Sequence, residues 1–279
     1  MNQFNFYKYN DLIQKFNIFL TGFTEKKLKI GYEIIEEWCW TYPRSELFIK
    51  WKQQYQRPAS TCNNLTILYY NIRNYYTNQC DLIDMVENYK PAIISINELG
   101  TLVPLKTIEK ALFSYKIFLA EGTNSHGGVV LATDKNLNPI DIDCQQQKNI
   151  VAASIPVNNK TYTITSVYSP PTETLPLEIM SSIMQNSHDN IIMDDFNAKN
   201  YKWGCAQVNK KGRELESWLQ SKKLHILNSG MTTSLRSKTT IDLIISTEQQ
   251  CEVQCHQLPY NGSDHVPVFT EFNNIKIKD

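Results

Sequence analysis

Apolar positions change rhythm near residue 62. Before it they fall at helical spacing. Thr24-Glu25 opens a predicted helix through Ile34, Ile35 and Trp38, Pro43 interrupts it, and Ser45 caps a second helix carrying Leu47, Phe48 and Trp51. Arg57-Pro58-Ala59-Ser60 reads as a linker, so residues 1–60 are predicted to be a helical N-terminal extension. From Leu65 onward, short apolar runs alternate with amphipathic stretches. Strands are predicted at 65–70, 92–96, 127–132, 150–156, 162–168, 239–246 and 266–272, with helices at 78–90, near 105–113, at 175–187 and at 212–221. The runs 150–156 and 162–168 pair around Asn158-Asn159. Strands alternating with helices, together with strand pairs, predict one α/β sandwich domain over 62–274, built of two facing mixed β-sheets.

The strand ends are where the polar chemistry collects. Ile191-Ile192-Met193 runs straight into Asp194-Asp195-Phe196-Asn197. A turn alone accounts for such a segment, since Asp and Asn favour turns. Yet Asn71 ends the first strand, Glu98 follows the second, Tyr168 ends another, Asp242 opens a later one, and Asp264-His265 precedes the last. Acids at the mouth of a buried strand are costly to desolvate unless a cation or a hydrogen-bonding partner meets them. Ligand sites in α/β folds gather beyond strand ends, which predicts a single cleft holding all of these residues.

Composition narrows the class. The chain has 279 residues, 42% apolar and 20% charged, as a globular protein does. Its 28 basic residues balance 28 acidic ones, so no overall basicity marks a nucleic-acid binder. Charge is patchy, however. Between 199 and 223 seven bases (Lys199, Lys202, Lys210, Lys211, Arg213, Lys222, Lys223) face two acids (Glu214, Glu216). Such a run is either a solvated face or a path for a phosphate backbone. No apolar run approaches the roughly 18 residues of a membrane span, and no signal-peptide pattern opens the chain. Seven scattered Cys fit a reducing compartment better than a disulfide framework, so an intracellular protein is expected.

Asn71, Glu98, Tyr168, Asp194-Asp195-Phe196-Asn197 and Ser263-Asp264-His265, in this order, resemble the motifs of the endonuclease/exonuclease/phosphatase superfamily. The likeness spans about 65–273. Within that superfamily, Asn71-Ile72-Arg73, Asp195-Phe196-Asn197-Ala198, Trp203-Gly204, Gly212-Arg213-Glu214-Leu215, Leu227-Asn228 and Thr240-Ile241-Asp242-Leu243 resemble the apurinic-type endonuclease domain of non-LTR retrotransposons. The chain departs from the pattern at several points. Asp194 stands where the family usually has Gly, Lys199 where retrotransposon relatives often have His, and Arg73 where the DNA-repair branch has an acid.

The resemblance implies a DNase I-like fold, a four-layer sandwich of two mixed sheets flanked by helices. It implies a metal-dependent phosphodiesterase, in its narrower form an endonuclease nicking DNA for target-primed retrotransposition. Catalytic roles would fall to His265, Asp242, Asp195, Asn197, Tyr168 and Asn71. Glu98, Asn71 and Asp264 would hold Mg²⁺, or Mn²⁺ in its place. Arg73, Lys199, Lys202, Trp203 and Arg213 would contact the substrate. The implied partner is DNA, met by a monomer away from any membrane, in the nucleus where chromosomal DNA is the target. A reverse transcriptase partner would lie outside these 279 residues, which are expected to be a fragment, a separately expressed copy or a host-adapted descendant. Two other readings share the fold: a phosphatase or phosphodiesterase acting on another phosphate ester, and a catalytically decayed nucleic-acid-binding remnant.

Overall fold

The computed structural model describes residues 63–248, 252–259 and 262–277; the helices expected over 1–60 lie outside the described residues. In chain order the elements are β1 (Asn64–Asn71), α1 (Tyr75–Tyr89), β2 (Ile93–Asn97), α2 (Leu105–Ala111), β3 (Tyr115–Ala120), β4 (Val129–Asp134), β5 (Ile140–Ile142) and β6 (Ile150–Val157). They continue with β7 (Lys160–Tyr168), α3 (Leu177–Ile183), β8 (Asp189–Asp195), α4 (Lys210–Lys222), β9 (His225–Ile226), β10 (Asp242–Ser246), β11 (Val253–Gln257) and β12 (Val268–Lys276). The strands form two six-stranded sheets, ordered β11-β12-β1-β2-β4-β3 and β5-β6-β7-β8-β10-β9. Each sheet is antiparallel except for one inner parallel pair, β1 with β2 and β7 with β8.

Side-chain alternation sorts the strands into layers. Ile67 and Tyr69 of β1, Ile164 of β7, Ile191 and Met193 of β8 and Ile244 of β10 meet between the sheets. The alternate residues of the second sheet, Ile192, Leu243 and Ile245, pack with Met180 of α3 and with Leu215, Trp218 and Leu219 of α4. On the outer face of the first sheet Leu68 and Ile94 are buried and Tyr89 of α1 meets Phe269 of β12 with ring centroids 5.5 Å apart, so helix, sheet, sheet and helix make a four-layer α/β sandwich. Full burial of a Leu, Ile or Phe contributes about 1.5–3 kcal/mol, so these stripes are what holds the layers together.

Two helices are tied to the cleft end of the sheets. Asn74 caps α1 by accepting from the Thr77 amide. Asn209 caps α4 through the Gly212 amide at 2.7 Å, and also binds the Lys199 amide (2.9 Å) and the Asn197 carbonyl (2.8 Å). A Cβ on Gly212 would lie 1.9 Å from the Lys199 carbonyl oxygen, so only glycine lets α4 approach the loop after β8 this closely.

The observed elements differ from the sequence expectation mainly by addition. β3, β5, β9 and β11 are not visible in the hydrophobic pattern. β5 and β11 keep most positions partly or fully exposed, and β9 is two residues long, so their strand character comes from the partner they pair with. The expected helix 175–187 is shorter, with a 3-10 turn over Met184–Asn186. Among the described residues no helix is long and apolar enough to cross a membrane.

Candidate active site

The two parallel strand pairs end at the same edge of the sandwich. Asn71 lies level with Asn97, and Asp195 is paired with both Tyr168 and Asp242 in the second sheet. Period-two alternation then points Asn71, Tyr168, Asp195 and Asp242 toward the space between the sheets. There, with Glu98, Asn197, Asp264 and His265 from the adjoining loops, they build a cleft of about 300 Å³. Tyr168, Asp195, Glu98 and His265 line it directly, and Asn71 and Asp242 are fully buried at its floor.

Asn71 bridges the acids. Its Nδ2 donates to Glu98 Oε1 and to Asp195 Oδ2, both at 3.0 Å, while its Oδ1 accepts from the Arg73 amide at 3.1 Å. Asp242 accepts from His265 Nδ1 at 2.8 Å and from the Tyr69 hydroxyl at 3.0 Å. Asp195 Oδ1 accepts from the Asn197 amide, and Asn197 Nδ2 donates to the Ser169 carbonyl. Arg73, Glu98 and Asn197 all hold left-handed backbone (φ 62°, 54° and 49°). That region costs a non-glycine residue conformational energy and persists where the surroundings enforce it, as at functional sites.

Burial sets the electrostatics. Desolvation, then the charge of Asp242, pushes the Asp195 carboxyl up to about 8, with His265 working against the rise. Burial acts to lower His265, but the charge and hydrogen bond of Asp242, joined by Asp195 and Glu98, outweigh it and hold the imidazole at about 10. The Tyr168 hydroxyl is raised by burial and by Glu98, to which it hydrogen-bonds. Three buried acids share one imidazolium at the inner end of the cleft, so that end is short of positive charge, with Arg73, Lys199 and Arg236 on the cleft's lining.

That deficit fits a hard divalent cation. Ligand atoms of Glu98, Asp195 and His265 lie within 4.8 Å of one another. Carboxylate oxygens are the donors that Mg²⁺ and Mn²⁺ prefer. Asp264, expected from the resemblance to be a metal ligand, lies apart from this group. Its carboxylate is taken by Arg73 at 2.9 Å, with Arg236 at 3.8 Å.

The expected substrate residues divide. Arg73 and Lys199 line the cleft. Lys202 is exposed but does not line it, and pairs with Glu216 at 2.6 Å. Arg213 is exposed on α4, outside the cleft lining. Trp203 corrects the expectation: it is 1% exposed, in the core beneath the second sheet, and its indole donates to the Ala198 carbonyl at 3.1 Å. Its large apolar ring wins over any contact role, because that is where the buried volume is.

Several residues of the site escaped the sequence. Tyr69, Asn97, Ser95 and Ser166 form a polar seam between the sheets. The Asn97 amide donates to the Tyr69 hydroxyl, and Ser95 hydrogen-bonds Ser166. Lys211 is buried as well, donating to Ser169 Oγ at 2.7 Å and to the Ser169 carbonyl at 3.0 Å. His126 and Arg236 line the cleft without a motif to announce them. Alternation could have flagged Tyr69 and Ser166, each two residues from a predicted site residue on its own strand, whereas Asn97 joins them through its pairing with Asn71.

A domain of two mixed six-stranded sheets, with acids, Asn, Tyr and an Asp–His pair at one end, has the DNase I-like fold of the endonuclease/exonuclease/phosphatase superfamily. Residues 162–269 match the family described as Endonuclease-reverse transcriptase. The endonuclease domain of TRAS1, a telomere-specific non-LTR retrotransposon, superposes with a TM-score of 0.64 and 21% identity, over 77% of this chain and all of the other. An AP endonuclease from Archaeoglobus fulgidus and the 3'-5' exonuclease NExo from Neisseria meningitidis each reach 0.58 at 15% identity, over 75% of this chain and 99% of theirs. No curated protein matches the sequence.

Proposed function

We propose that the domain from about residue 62 onward hydrolyses phosphodiester bonds of DNA with a divalent cation, as an endonuclease of the kind that opens a target for retrotransposition. The observation that carries this reading is the 2.8 Å Asp242–His265 pair, set beside Glu98 and Asp195 in one cleft. The family match and the nucleases that share the fold support it.

In this reading Glu98 holds Mg²⁺ or Mn²⁺, with Asn71 fixing the carboxylates of Glu98 and Asp195 toward each other. Bound there, the cation supplies Lewis-acid polarisation of the phosphate and charge for the leaving oxygen. Asp242 occupies Nδ1 of His265 and leaves Nε2 for the substrate, as a carboxylate orients the imidazole in other His-based sites. The imidazolium donates to the attacked phosphate and holds its growing charge. Asp195, its Oδ1 held by the Asn197 amide, accepts the proton of the attacking water. Asn197 and Tyr168 donate hydrogen bonds to the phosphate oxygens. Asp264 holds Arg73 at the rim, where the guanidinium and Lys199 meet flanking phosphates. Residues 1–60 take no part in the chemistry.

The test is nicking of supercoiled plasmid by purified protein, with Mg²⁺ and with EDTA. Metal-dependent conversion to open circles is expected, and a chain starting near Ser60 should retain it. Turnover confined to DNA ends or to a soluble phosphate ester would replace the endonuclease with another activity of the fold. No turnover of any phosphate ester with Mg²⁺ or Mn²⁺ would overturn the enzyme.

A further inference from the structure

A second opening lies beside the cleft. It is a groove of about 1160 Å³, and Tyr168 lines both spaces. The volume exceeds the roughly 300–1,000 Å³ of an ordinary small-molecule pocket, which suits a chain-like ligand better. One wall is the loop Gln145–Lys148, the other the segment from Glu173 to α3.

Its chemistry is unlike that of the cleft. Gln145, Gln146 and Gln147 are exposed and line the groove. The single cation Lys148 is outnumbered by Glu173 and Glu178. A path for phosphates would carry an excess of cations. Neutral amides, each both donor and acceptor, match the edges of nucleobases instead.

The loop is also held in place. Gln145 and Gln146 are consecutive left-handed residues (φ 55° and 56°), and Asn149 follows at 60°. For Gln145 and Gln146 this is a tight local turn, closed by the Gln147 amide on the Cys144 carbonyl at 3.1 Å and by the Gln145 amide on Asp143 at 2.7 Å. The buried Asn149 makes the connection. Its side chain accepts from the Gly128 amide (2.9 Å) and donates to the Thr123 hydroxyl (2.8 Å), and its carbonyl accepts from the Tyr168 amide (2.9 Å). Thr123 in turn donates to Glu173 on the far wall. One hydrogen-bonded network therefore fixes both walls of the groove and the backbone of a cleft residue.

We propose that this groove is a base-binding subsite, in which the amides of Gln145, Gln146 and Gln147 read base edges of the DNA strand as it leaves the cleft past Tyr168. The proposal rests on the nuclease reading for the class of ligand. It makes the groove, rather than the cleft, a source of sequence preference.

The test is binding without cleavage. Full-length protein in EDTA is mixed with a pool of DNA duplexes randomised over a central stretch, and the bound fraction is sequenced. The wild type should enrich particular bases at one or a few adjacent positions, by about tenfold for a good amide–base pair. The triple substitution Gln145→Ala, Gln146→Ala, Gln147→Ala should abolish that enrichment. Total affinity should stay within about threefold and the salt slope unchanged, because the groove touches no phosphates. A matching melting temperature would verify that the variant folds. Enrichment that survives the triple substitution, or a wild type that enriches nothing, overturns the subsite. Base selection without plasmid nicking would overturn the nuclease and leave the subsite standing. Failure to bind any duplex would overturn the subsite, while plasmid nicking with Mg²⁺ decides the nuclease separately.

Discussion

Asp194 and Asp195 leave β8 in opposite directions. Asp195 enters the cleft between the sheets, where Asn71 and the Asn197 amide bind it. Asp194 enters the layer between the second sheet and its helices, where burial, then the charge of Asp195, raises its carboxyl and Lys211 works against that rise. Each side buries an acid and a basic group, but the basic group is used differently. His265 is bound by a carboxylate, with its other nitrogen free toward the cleft. Lys211 spends its hydrogen bonds on Ser169 and Pro170, the turn that follows Tyr168 and accepts from Asn197. The first arrangement is open and can act on a ligand. The second is closed and holds a wall of the cleft in place. What separates them is solvent access and free valence, since the two acids are adjacent in sequence and both fully buried.

The largest break in this comparison should come from the open side. His265→Ala is expected to lower plasmid nicking by about 10²–10⁴-fold, the range for a group acting on the reacting atoms. Its melting temperature should fall as well, because Asp242 is left buried without its imidazolium, while Mg²⁺ affinity, measured by calorimetry, should stay with Glu98. Wild-type nicking by the folded variant would sink the mechanism.

The closed side should answer in stability. Lys211→Met leaves the buried Ser169 and Pro170 oxygens without their donor and removes the one base that works against the rise of Asp194, and each buried acceptor left unpaired costs about 1–3 kcal/mol. Urea denaturation reads the loss directly. The double variant Lys211→Met, Asp194→Gly should recover the part of the loss that comes from the buried acid. A double variant no more stable than Lys211→Met would show that Lys211 acts through the turn alone.

A pH titration sharpens the contrast on the open side. Asp195 is raised to about 8, so the folded metal-free domain keeps a proton that the unfolded chain has lost. Stability should therefore fall as pH rises from about 4 toward 8. His265 is raised to about 10; its contribution is complete below about 6.5 and fades as pH climbs toward 10. Both shifts have the same sign, so thermal melts in EDTA should decline steadily from pH 5 to 9. Mg²⁺ should flatten the decline by balancing the acids, and a metal-free melt that rises with pH would contradict the charge deficit.

The smallest effect is expected at the rim. Arg73 has a side chain 38% exposed, and its pairing with Asp264 is partly screened. Arg73→Ala should raise KM for DNA several-fold and flatten its salt dependence, with kcat nearly unchanged. An equal fall in kcat would move Arg73 from the rim into the chemistry.

The sequence alone determined the inner strands, the main helices and the residues that end at the cleft. Apolar runs too buried for any other use stop at Asn71, Glu98, Tyr168 and Asp195, and that coincidence is local and readable. It could not determine the edge strands β3, β5, β9 and β11, which depend on the strand beside them. Nor could it determine which side of a strand each acid takes relative to the second sheet. Asp194 was legible only as a departure from a motif, and Lys211 only as one base in a basic run. Trp203 reads in the sequence as a contact residue, although its volume belongs to the core. Tertiary structure decided these points, because they depend on groups far apart in the chain: His265 meets Asp242 across 23 residues, and Asn71 meets Asp195 across 124. Hydrophobic period fixes which way a side chain points along its own strand. Only packing decides what it finds there.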